Sequence, residues 1–305
     1  MIKKVEIVEV GLRDGLQNEK ILVPAELRVE AARLLAQAGA KRIEIGAFVR
    51  ADKIPQMDGS KEIIDDVLFQ QKKGSIPKQA RFSALVPNVK GMQEALQTGV
   101  TEVAVFASAT ESFSKANINC SIEESFARFA EVFPLAKKNK IKVRGYLSVC
   151  FGCPYEGTVA EQKVITLAKK LYQMGCYEIS IGDTIGVADP RQVEKLFSKL
   201  SKIVPIKKIA GHFHDTRGTA LANILKSAQM GIQVFDTSIG GLGGCPYAPG
   251  SAGNVSSEDV IYMFEKMGVS TGIDLAKYIA INKWFSEKMG KEFNSKVSKA
   301  GLSKK

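Results

Sequence analysis

The sequence predicts an α/β protein built as a parallel (β/α)8 barrel, and three observations lead to this prediction. Short apolar segments of strand type alternate with longer segments of helical spacing. This alternation occurs eight times, and no change in composition interrupts it along the 305 residues. Eight strand–helix units are the number that closes a parallel barrel, and such barrels reach this length as one domain.

The first four units occupy the N-terminal half of the chain. We predict strands at residues 5–10, 42–45, 81–85 and 102–106, and helices at 24–38, 60–71, 90–97 and from 121 onward. Between Leu27 and Ala38, apolar residues recur at helical spacing. Ser121 and Glu124 form a capping-box pattern at the start of the fourth helix, which Pro134 must kink or end early.

The last four units follow the same order. We predict strands at residues 143–149, 178–181, 208–212 and 234–238, and helices from 158 to 174, 190–200, 219–230 and 257–267. Thr158 and Glu161 form a second capping-box pattern, and Gly175 suits the C′ position of that helix. The competing fold, a doubly wound open sheet, lacks its GxGxxG turn after the first strand. We therefore predict one catalytic domain over residues 1–305, with a TIM barrel at about 3–270 and a C-terminal helical extension and tail at about 271–305.

Composition argues against two classes of protein. The longest apolar runs are far shorter than a membrane span, and five cysteines in 305 residues do not form a secreted disulfide framework. We interpret the lone pair Cys150 and Cys153 as packing at a strand end. The segment Met1 to Lys4 has no apolar signal region and no Arg/Ser-rich presequence, so we expect a cytoplasmic protein. A chain trimmed of its presequence would look the same.

The formal net charge of +11 permits two kinds of partner. A basic surface can bind nucleic acid, but the chain has no zinc finger, RNP motif or recognition-helix pattern. It also suits a small polyanionic substrate such as a coenzyme A thioester. Much of the charge is dispersed as Lys–Lys pairs on predicted helices, so the charge alone does not decide between the two.

The only two histidines of the chain are two positions apart, at His212 and His214. They end the short apolar segment that we predict as the seventh strand. Side chains at i and i+2 of a strand point to the same face, so both imidazoles face one spot and can share a metal ion. The alternative is a pair of strand-end histidines that make local hydrogen bonds.

Other polar side chains follow predicted strands at the end where such barrels carry their chemistry. They are Arg13, Asp14 and Gln17 after the first strand, Glu44 on the second, Asp183 and Thr184 after the sixth, and Cys245 and Asn254 in the glycine-rich segment after the eighth. Glu44 lies between Ile43 and Ile45, so alternation places it on the inner face of the barrel. The convergence of so many ionisable groups on one mouth indicates an active site.

Four segments resemble signature sequences of the 3-hydroxy-3-methylglutaryl-CoA lyase family. They are Glu9–Lys20, Asn117–Ser125, Gly182–Gly186 and Gly241–Ala248, and the resemblance extends over about residues 3–270. It implies a divalent-metal-dependent enzyme that cleaves 3-hydroxy-3-methylglutaryl-CoA (HMG-CoA) to acetyl-CoA and acetoacetate by a retro-aldol (Claisen-type) reaction. The glycine-cysteine segment is the most specific match, because a dozen residues agree together.

The resemblance also implies roles for individual residues. The metal ligands are Asp14, His212, His214 and Asn254, and Arg13 is the catalytic arginine. Two nitrogens and two oxygens, with no thiolate, suit Mg²⁺ or Mn²⁺ better than structural zinc. In the implied mechanism the metal chelates the C3 hydroxyl and the carboxylate of the substrate, and His212 or Asp14 removes the hydroxyl proton.

The remaining steps need a stabiliser of negative charge and a proton donor. Arg13 stabilises the enolate oxygen, and Cys245 is the candidate acid that protonates the two-carbon carbanion. We expect Gln17, Glu44, Asp183, Thr184 and Glu258 to orient the substrate or support the metal ligands. For Glu44 and Asp183 the alternative is an ion pair inside the barrel, and for Glu258 it is charge at a helix N-terminus.

Three other functions stay open at this stage. A condensing synthase of the same superfamily would join acetyl-CoA to an α-keto acid, and a related lyase would accept a longer or differently substituted 3-hydroxyacyl-CoA. A basic barrel without enzymatic activity would bind nucleic acid with strong dependence on salt. Our expected partner is a CoA thioester substrate, with no nucleic acid and no membrane, and we expect a homodimer.

Overall fold

Eight parallel strands close into a barrel in this computed structural model, which describes residues 2–244 and 253–302. Each strand pairs with the strands that precede and follow it in the sequence, and β1 pairs with β8. The strands are β1 Glu6–Glu9, β2 Arg42–Ala47, β3 Arg81–Leu85, β4 Glu102–Ser108, β5 Lys142–Ser148, β6 Glu178–Asp183, β7 Ile209–Phe213 and β8 Val234–Thr237. The predicted (β/α)8 fold is confirmed.

At least one helix follows every strand and covers the outside of the barrel. The helices are α1 Ala25–Gln37, α2 Ser60–Lys72, α3 Val89–Ala95, α4 Glu111–Ile118, α5 Ile122–Lys138, α6 Glu161–Met174, α7 Pro190–Leu200, α8 Ala220–Gln229, α9 Ser257–Lys266, α10 Leu275–Met289 and α11 Lys296–Ala300. Helices α10 and α11 form the predicted C-terminal extension. Within the described residues, no helix combines the length and the hydropathy that crossing a membrane requires.

Helix α4 is absent from the sequence-based prediction. It lies between β4 and α5, ends at Asn119 in the left-handed conformation, and buries only Phe113 and Ser114. Because so few of its residues are buried, its sequence lacks the extended apolar periodicity that reveals a helix. The consequence is a second helix after β4, at the rim where the strands end.

The predicted helix boundaries are partly right. At the start of α5, Ser121 accepts a hydrogen bond from the backbone of Glu124, and the Glu124 side chain accepts one from the backbone of Ser121, so this capping box is confirmed. The helix does not end early at Pro134 but continues to Lys138. The capping box predicted at Thr158 is wrong, because α6 begins only at Glu161, after an N-cap residue that provides no side-chain bond.

The inside of the barrel contains a buried ionic network instead of apolar layers alone. Arg42 on β2 binds Glu178 on β6 at 2.8 Å, and Arg144 on β5 binds Asp236 on β8 at 2.8 Å and Glu178 at 2.7 Å. Strands β2 and β6 are not neighbours in the barrel. Their contact therefore passes through the interior. Glu102 joins the same network at 3.4 Å from Arg42.

The apolar core lies between the strands and the surrounding helices. On β2 and β6 the residues that alternate with the charged ones, such as Ile43, Ile45 and Ile179, are fully buried and belong to this core. This alternation follows from the two-residue period of a strand. It leaves the inner face free for polar side chains, and these continue toward the carboxyl ends of the strands.

The C-terminal extension packs against the start of the glycine-rich segment that follows β8. Gly240 has a left-handed φ of 62°, its carbonyl accepts a hydrogen bond from the backbone of Asn294, and an added Cβ would approach Phe293 to 2.4 Å. On the other side, Glu258 accepts hydrogen bonds from the Gly240 amide and the Asn282 side chain. Glycine is therefore required at 240, and helix α10 supports the segment from outside the barrel.

The two capping-box patterns give a matched stability test. Ser121→Ala should lower the free energy of unfolding by about 1 kcal/mol, because it removes a bonded N-cap hydroxyl. Thr158→Ala should change it by less than about 0.5 kcal/mol, since Thr158 does not cap a helix. Urea unfolding followed by circular dichroism measures both values, and equal losses in the two variants would contradict the boundaries of α5 and α6.

Candidate metal centre and active site

A cavity of about 140 Å³ opens at the carboxyl ends of the strands. Its lining combines charged, polar and apolar side chains: Arg13, Asp14, Gln17, Asn18, Val49, Ile54, Leu85, Phe106, Phe113, Asn117, Tyr146, Leu147, Ser148, Ser180, Gly182, Thr184, His212, His214 and Gly244. This is the end of a (β/α)8 barrel at which active sites occur. The structure thus brings most of the predicted residues to one place.

Arg13 and Asp14 project from a single π-helical turn, Gly11–Gly15, that directly follows β1. The turn lies tightly against the segment after β8. A Cβ added at Gly15 would lie 2.9 Å from the hydroxyl of Ser238 and 3.0 Å from Leu242. Glycine at this position is what allows the two segments to approach, and the approach places both charged side chains over the open end of the barrel.

Asp14, His212 and His214 form a cluster whose potential ligand atoms all lie within 4.8 Å of one another. Asn254 is adjacent, because its side-chain amide donates to the Asp14 carboxylate at 2.9 Å. The two imidazole rings are 5.1 Å apart between centroids, as expected for side chains on the same face of β7. All four residues predicted as metal ligands are therefore neighbours.

Asp236, on the neighbouring strand β8, contacts the imidazole of His212. The Nδ1 atom of His212 lies 3.3 Å from an Asp236 carboxylate oxygen, while its Nε2 atom faces Asp14 at 4.0 Å. The Asp236 carboxylate is fully buried and also binds Arg144 and the hydroxyl of Ser180. The orientation of His212 is thus set from the interior of the barrel.

The electrostatic surroundings differ between the three clustered groups. Burial alone would raise the pKa of the Asp14 carboxyl, but Arg13 and the histidines outweigh it and lower that pKa to about 2. Burial, and then the neighbouring His212, lower the pKa of the His214 imidazole to about 3. Burial would also lower the pKa of His212, but its bond to Asp236 and the charge of Asp14 raise it. Asp14 is therefore ionised and His214 neutral at pH 7.

This set of donors fits a divalent cation. A carboxylate, an amide oxygen and imidazole nitrogens are all ligands of divalent metal ions in proteins. The Nδ1 atom of His214 is buried and has no hydrogen-bond partner within the described residues. A buried polar atom without a partner is costly, so a ligand that it can bind is the simplest explanation of this arrangement.

The guanidinium of Arg13 is fixed on three sides. It binds Glu44 through Nε at 2.7 Å and Asp14 through Nη1 at 2.7 Å, and Gln17 accepts a longer hydrogen bond at 3.5 Å. Its carbon Cζ lies 5.5 Å from the ring centre of Tyr146. Burial alone would lower the pKa of Arg13, but Glu44 and Asp14 raise it well above its usual value, so the arginine stays charged.

Thr184 supports a strained residue at the end of β5. Val149 has a φ of 54°, which is rare for a β-branched side chain and costs about 1–3 kcal/mol. The hydroxyl of Thr184 accepts a hydrogen bond from the Val149 amide at 2.8 Å, and the Gly182 carbonyl accepts one from the Cys150 amide. These bonds hold the backbone next to Ser148, a side chain of the cavity lining.

Two predicted residues lie elsewhere. Asp183 does not enter the cavity, since its carboxylate accepts hydrogen bonds from the Val187 and Ala188 amides in the loop after β6. It also makes no ion pair inside the barrel within the described residues. Glu258 lies in the first turn of α9 and binds the Gly240 amide rather than the metal ligands. Both carboxylates position loops near the site.

The predicted cysteine roles have two outcomes. Cys245 and the part of the glycine-rich segment from 245 to 252 lie outside the described residues, so the structure says nothing about that thiol. Cys150 and Cys153 are buried at the end of β5 and are not bonded to each other, as expected for packing residues. Burial raises the pKa of the Cys150 thiol, which makes it unreactive.

Sequence reasoning did not identify Tyr146, Ser180 or Asp236 as parts of the site. The signal that could have found Asp236 is an ionisable residue in the middle of the apolar β8, where an unpaired charge is too costly to bury. Tyr146 shares one face of β5 with Arg144 and Ser148, so the same alternation applies there. Identifying the partners of these residues requires the distances across the barrel.

A groove of about 680 Å³ continues from the cavity toward the surface between the β2 and β3 loops and helices α4 and α5. It shares Val49, Ile54, Phe106 and Asn117 with the cavity. Four cationic side chains line its outer part: Arg50, Lys53, Lys90 and Arg128. The net positive charge of the protein is thus partly concentrated on one path into the site.

Comparison with known proteins gives a consistent result. A protein from Rattus norvegicus named 3-hydroxy-3-methylglutaryl-CoA lyase, cytoplasmic, is 48% identical over 298 residues, which is 98% of this chain and 85% of the relative. The crystal structure of hydroxymethylglutaryl-CoA lyase from Pseudomonas aeruginosa superimposes with a TM-score of 0.93 at 45% identity and covers 98% of both chains.

A second similar structure contains bound molecules. It is an HMG-CoA lyase from Acinetobacter baumannii in complex with coenzyme A and 3-methylmalate, with a TM-score of 0.92, 32% identity and coverage of 99% of this chain and 96% of that one. The HMGL-like family model matches residues 4–284, which include the whole barrel and every predicted site residue. The chain therefore belongs to the HMGL-like family.

Proposed function

We propose that this protein is a divalent-metal-dependent carbon–carbon lyase that cleaves HMG-CoA to acetyl-CoA and acetoacetate. The observation that carries this proposal is the cluster of Asp14, His212 and His214 next to the buried guanidinium of Arg13 in one cavity. Membership of the HMGL-like family and the names of the similar proteins support the same substrate. The three similar proteins described above are all named as lyases.

The reaction begins with the C3 hydroxyl of the substrate. When bound by Asp14, His212, His214 and Asn254, a divalent cation supplies Lewis-acid polarisation of the hydroxyl and carboxylate oxygens. His212 and Asp14 both line the cavity and are the candidates that accept the hydroxyl proton. Only Asp14 can do so while it remains a ligand, because a carboxylate has a second oxygen, whereas a neutral imidazole has a single accepting nitrogen. The electron pair that the proton leaves on the C3 oxygen then forms the C=O bond of acetoacetate. At the same time the C2–C3 bond breaks, and its electron pair stays on C2 of the two-carbon thioester.

Arg13 stabilises the charge that this cleavage creates. The enolate oxygen of the thioester requires donors that are already oriented before the bond breaks. Glu44 and Asp14 fix the guanidinium plane by bonds of 2.7 Å, and Gln17 and Tyr146 adjoin it. A permanently charged planar fork held in this way needs no rearrangement during the reaction.

The last step is protonation of the two-carbon carbanion to give acetyl-CoA. Cys245 is our candidate for this acid, because it belongs to the glycine-rich segment that resembles the family signature. The segment starts at the cavity, where Gly244 is part of the lining. Among the described residues the cysteines are Cys120, Cys150, Cys153 and Cys176; all four are buried, and none of them lines the cavity.

The basic groove is our proposed binding path for the coenzyme A portion. Coenzyme A has an uncharged pantetheine arm, which carries the thioester, and a polyanionic nucleotide end. The groove shares Phe106 and Ile54 with the cavity, whereas Arg50, Lys53 and Lys90 line the groove alone. This order places the phosphates at the cationic end and the thioester at the catalytic end.

Four finer points are also proposals. The metal is Mg²⁺ or Mn²⁺, because carboxylate and amide oxygens suit these ions and the proposed ligand set contains no thiolate. The barrel and the extension, residues 1–305, act as one catalytic domain. The protein is a homodimer, and its location is the cytoplasm.

The metal requirement gives the direct test of this function. The purified protein should release acetoacetate from HMG-CoA, and exhaustive treatment with EDTA should abolish the release until Mg²⁺ or Mn²⁺ is restored. His214→Ala should lose bound metal and activity together, because it removes one of the clustered ligands. Metal content by mass spectrometry and a coupled acetoacetate assay measure the two losses.

The control is the fold of the same variant. His214→Ala should keep the circular dichroism spectrum of the parent protein, so that the loss is not due to unfolding. Activity that survives both chelation and the His214→Ala change would reject the metal-dependent mechanism.

Arg13→Lys separates the planar fork from the charge. We expect kcat to fall by at least about 10²-fold, because lysine keeps the charge but cannot bind Glu44 and Asp14 while presenting a fixed donor to the enolate. The matched change Arg191→Lys on the exposed face of α7 should leave kcat unchanged. Steady-state kinetics decide the point, and parental kcat in Arg13→Lys would assign Arg13 to structure.

If coenzyme A binds along the basic groove, removing positive charge from the groove should raise KM and leave kcat nearly unchanged. The double variant Lys53→Glu/Lys90→Glu should raise KM for HMG-CoA about fivefold to tenfold with little change in kcat, and high salt should reduce the difference. Lys207→Glu, at the opposite end of the barrel before β7, should have no such effect. Equal KM values for the two variants would place the nucleotide end of the substrate elsewhere.

A further inference from the structure

Asp236 occupies a position that no part of the proposed reaction uses. It lies on the inner face of β8, and both of its carboxylate oxygens are occupied. One oxygen accepts a hydrogen bond from Arg144 at 2.8 Å. The other is shared by Ser180 at 2.6 Å, Arg144 at 3.1 Å and the Nδ1 atom of His212 at 3.3 Å. Asp236 is thus the direct link between the ionic network and the metal centre.

We propose that Asp236 is a positioning residue that fixes the tautomer and ring orientation of His212 for metal binding. With the proton held on Nδ1 by the carboxylate, the lone pair of Nε2 points toward the carboxylate of Asp14, 4.0 Å away. This inference rests on the proposed metal centre and extends it to the residue that prepares one of its ligands.

The chemical reason is the asymmetry of a neutral imidazole. One of its nitrogens donates and the other accepts, and the partner of one nitrogen decides the role of the other. A carboxylate can only accept, so Asp236 selects the tautomer that is required. A metal-bound histidine commonly has such a carboxylate behind it, and loss of the carboxylate weakens metal binding about 10–100-fold.

The structure also prevents Asp236 itself from turning. Arg144 binds both of its oxygens and is held in turn by Glu178 at 2.7 Å. Tyr146 packs between these groups, with its ring 4.8 Å from the Arg144 guanidinium carbon and edge-on to His212 at 6.4 Å. The orientation of the metal ligand is therefore fixed by buried side chains on β5, β6 and β8.

The competing explanation is that Asp236 only neutralises Arg144. Glu178 provides the matched control, because it binds the same arginine at a similar distance but does not contact His212. If Asp236 were only a counterion, Asp236→Asn and Glu178→Gln would have the same consequences. If Asp236 positions His212, only Asp236→Asn should weaken metal binding and change the tautomer of the His212 imidazole.

The experiment measures both properties on the full-length protein. Mn²⁺ alone is titrated into chelator-treated protein and followed by electron paramagnetic resonance. The imidazoles are observed by ¹⁵N NMR, which is simple here because the chain contains only two histidines. Asp236→Asn should raise the Kd for Mn²⁺ about 10–100-fold and move the proton of His212 partly to Nε2, since an amide can also donate. Glu178→Gln should leave Kd within about twofold and keep the tautomer.

Asp236→Asn leaves Arg144 with one carboxylate fewer, and Glu178→Gln does the same to both Arg42 and Arg144, so both variants should be less stable. If Asp236→Asn fails to fold, the double variant Arg144→Met/Asp236→Asn removes the unpaired charge and should still show the weakened Mn²⁺ binding. Unchanged Kd and tautomer in the folded variant, or an equal loss of Mn²⁺ binding in Glu178→Gln, would overturn the proposal.

The readouts are independent of the substrate. Failure of the parent protein to cleave HMG-CoA, with intact Mn²⁺ binding and the expected tautomer change, would reject the proposed function and support the role of Asp236. Normal cleavage with no effect of Asp236→Asn on Kd or tautomer would reject the role of Asp236 alone.

Discussion

A chain of buried ionic contacts and hydrogen bonds runs through the barrel from its amino-terminal end to its mouth, and the site depends on it. In order, the chain consists of Glu102, Arg42, Glu178, Arg144, Asp236, His212, Asp14, Arg13 and Glu44. All but Asp14 are buried residues. Since a buried charge without a partner is strongly unfavourable, each member is held in place by its neighbours.

Such a chain is not an efficient way to stabilise a fold. Well-packed apolar residues of the same volume would often be equally stable or more so, because the desolvation of each ion offsets its attraction to the next. Its physical advantage is orientation. Each guanidinium is bound by at least two acceptors, so Arg13 and the His212 ring have little freedom to move before a substrate arrives. Catalysis by fixed charges requires this kind of preparation.

The sequence predicted the fold and the metal-binding cluster because both follow from local patterns. Eight strand–helix units determine the barrel, and the i, i+2 spacing of His212 and His214 determines their common face. The same period explains the error at Asp183: on β6 it is Ser180 and Gly182 that point inward, so the next residue must point outward. The outward direction of the Asp183 side chain could therefore have been predicted from the sequence. The contacts of Glu258 could not, since its partner Asn282 lies on helix α10 of the C-terminal extension.

The alternation of side chains along a strand also separates the residues that support the site from inside the barrel from those that support it from outside. On β8, Asp236 faces inward and holds His212, whereas Thr237 faces outward and binds Ser257 at the start of α9. On β1, Glu9 likewise faces outward and accepts hydrogen bonds from Ser257 and from the Ile239 amide, at the root of the glycine-rich segment. His212 is therefore positioned from inside the barrel, and the start of the glycine-rich segment, at Ile239 and Gly240, from the helical layer outside it. A change on the inner face can alter the orientation of His212 without changing these outer contacts, and this independence follows from the two-residue period of the strands that carry both.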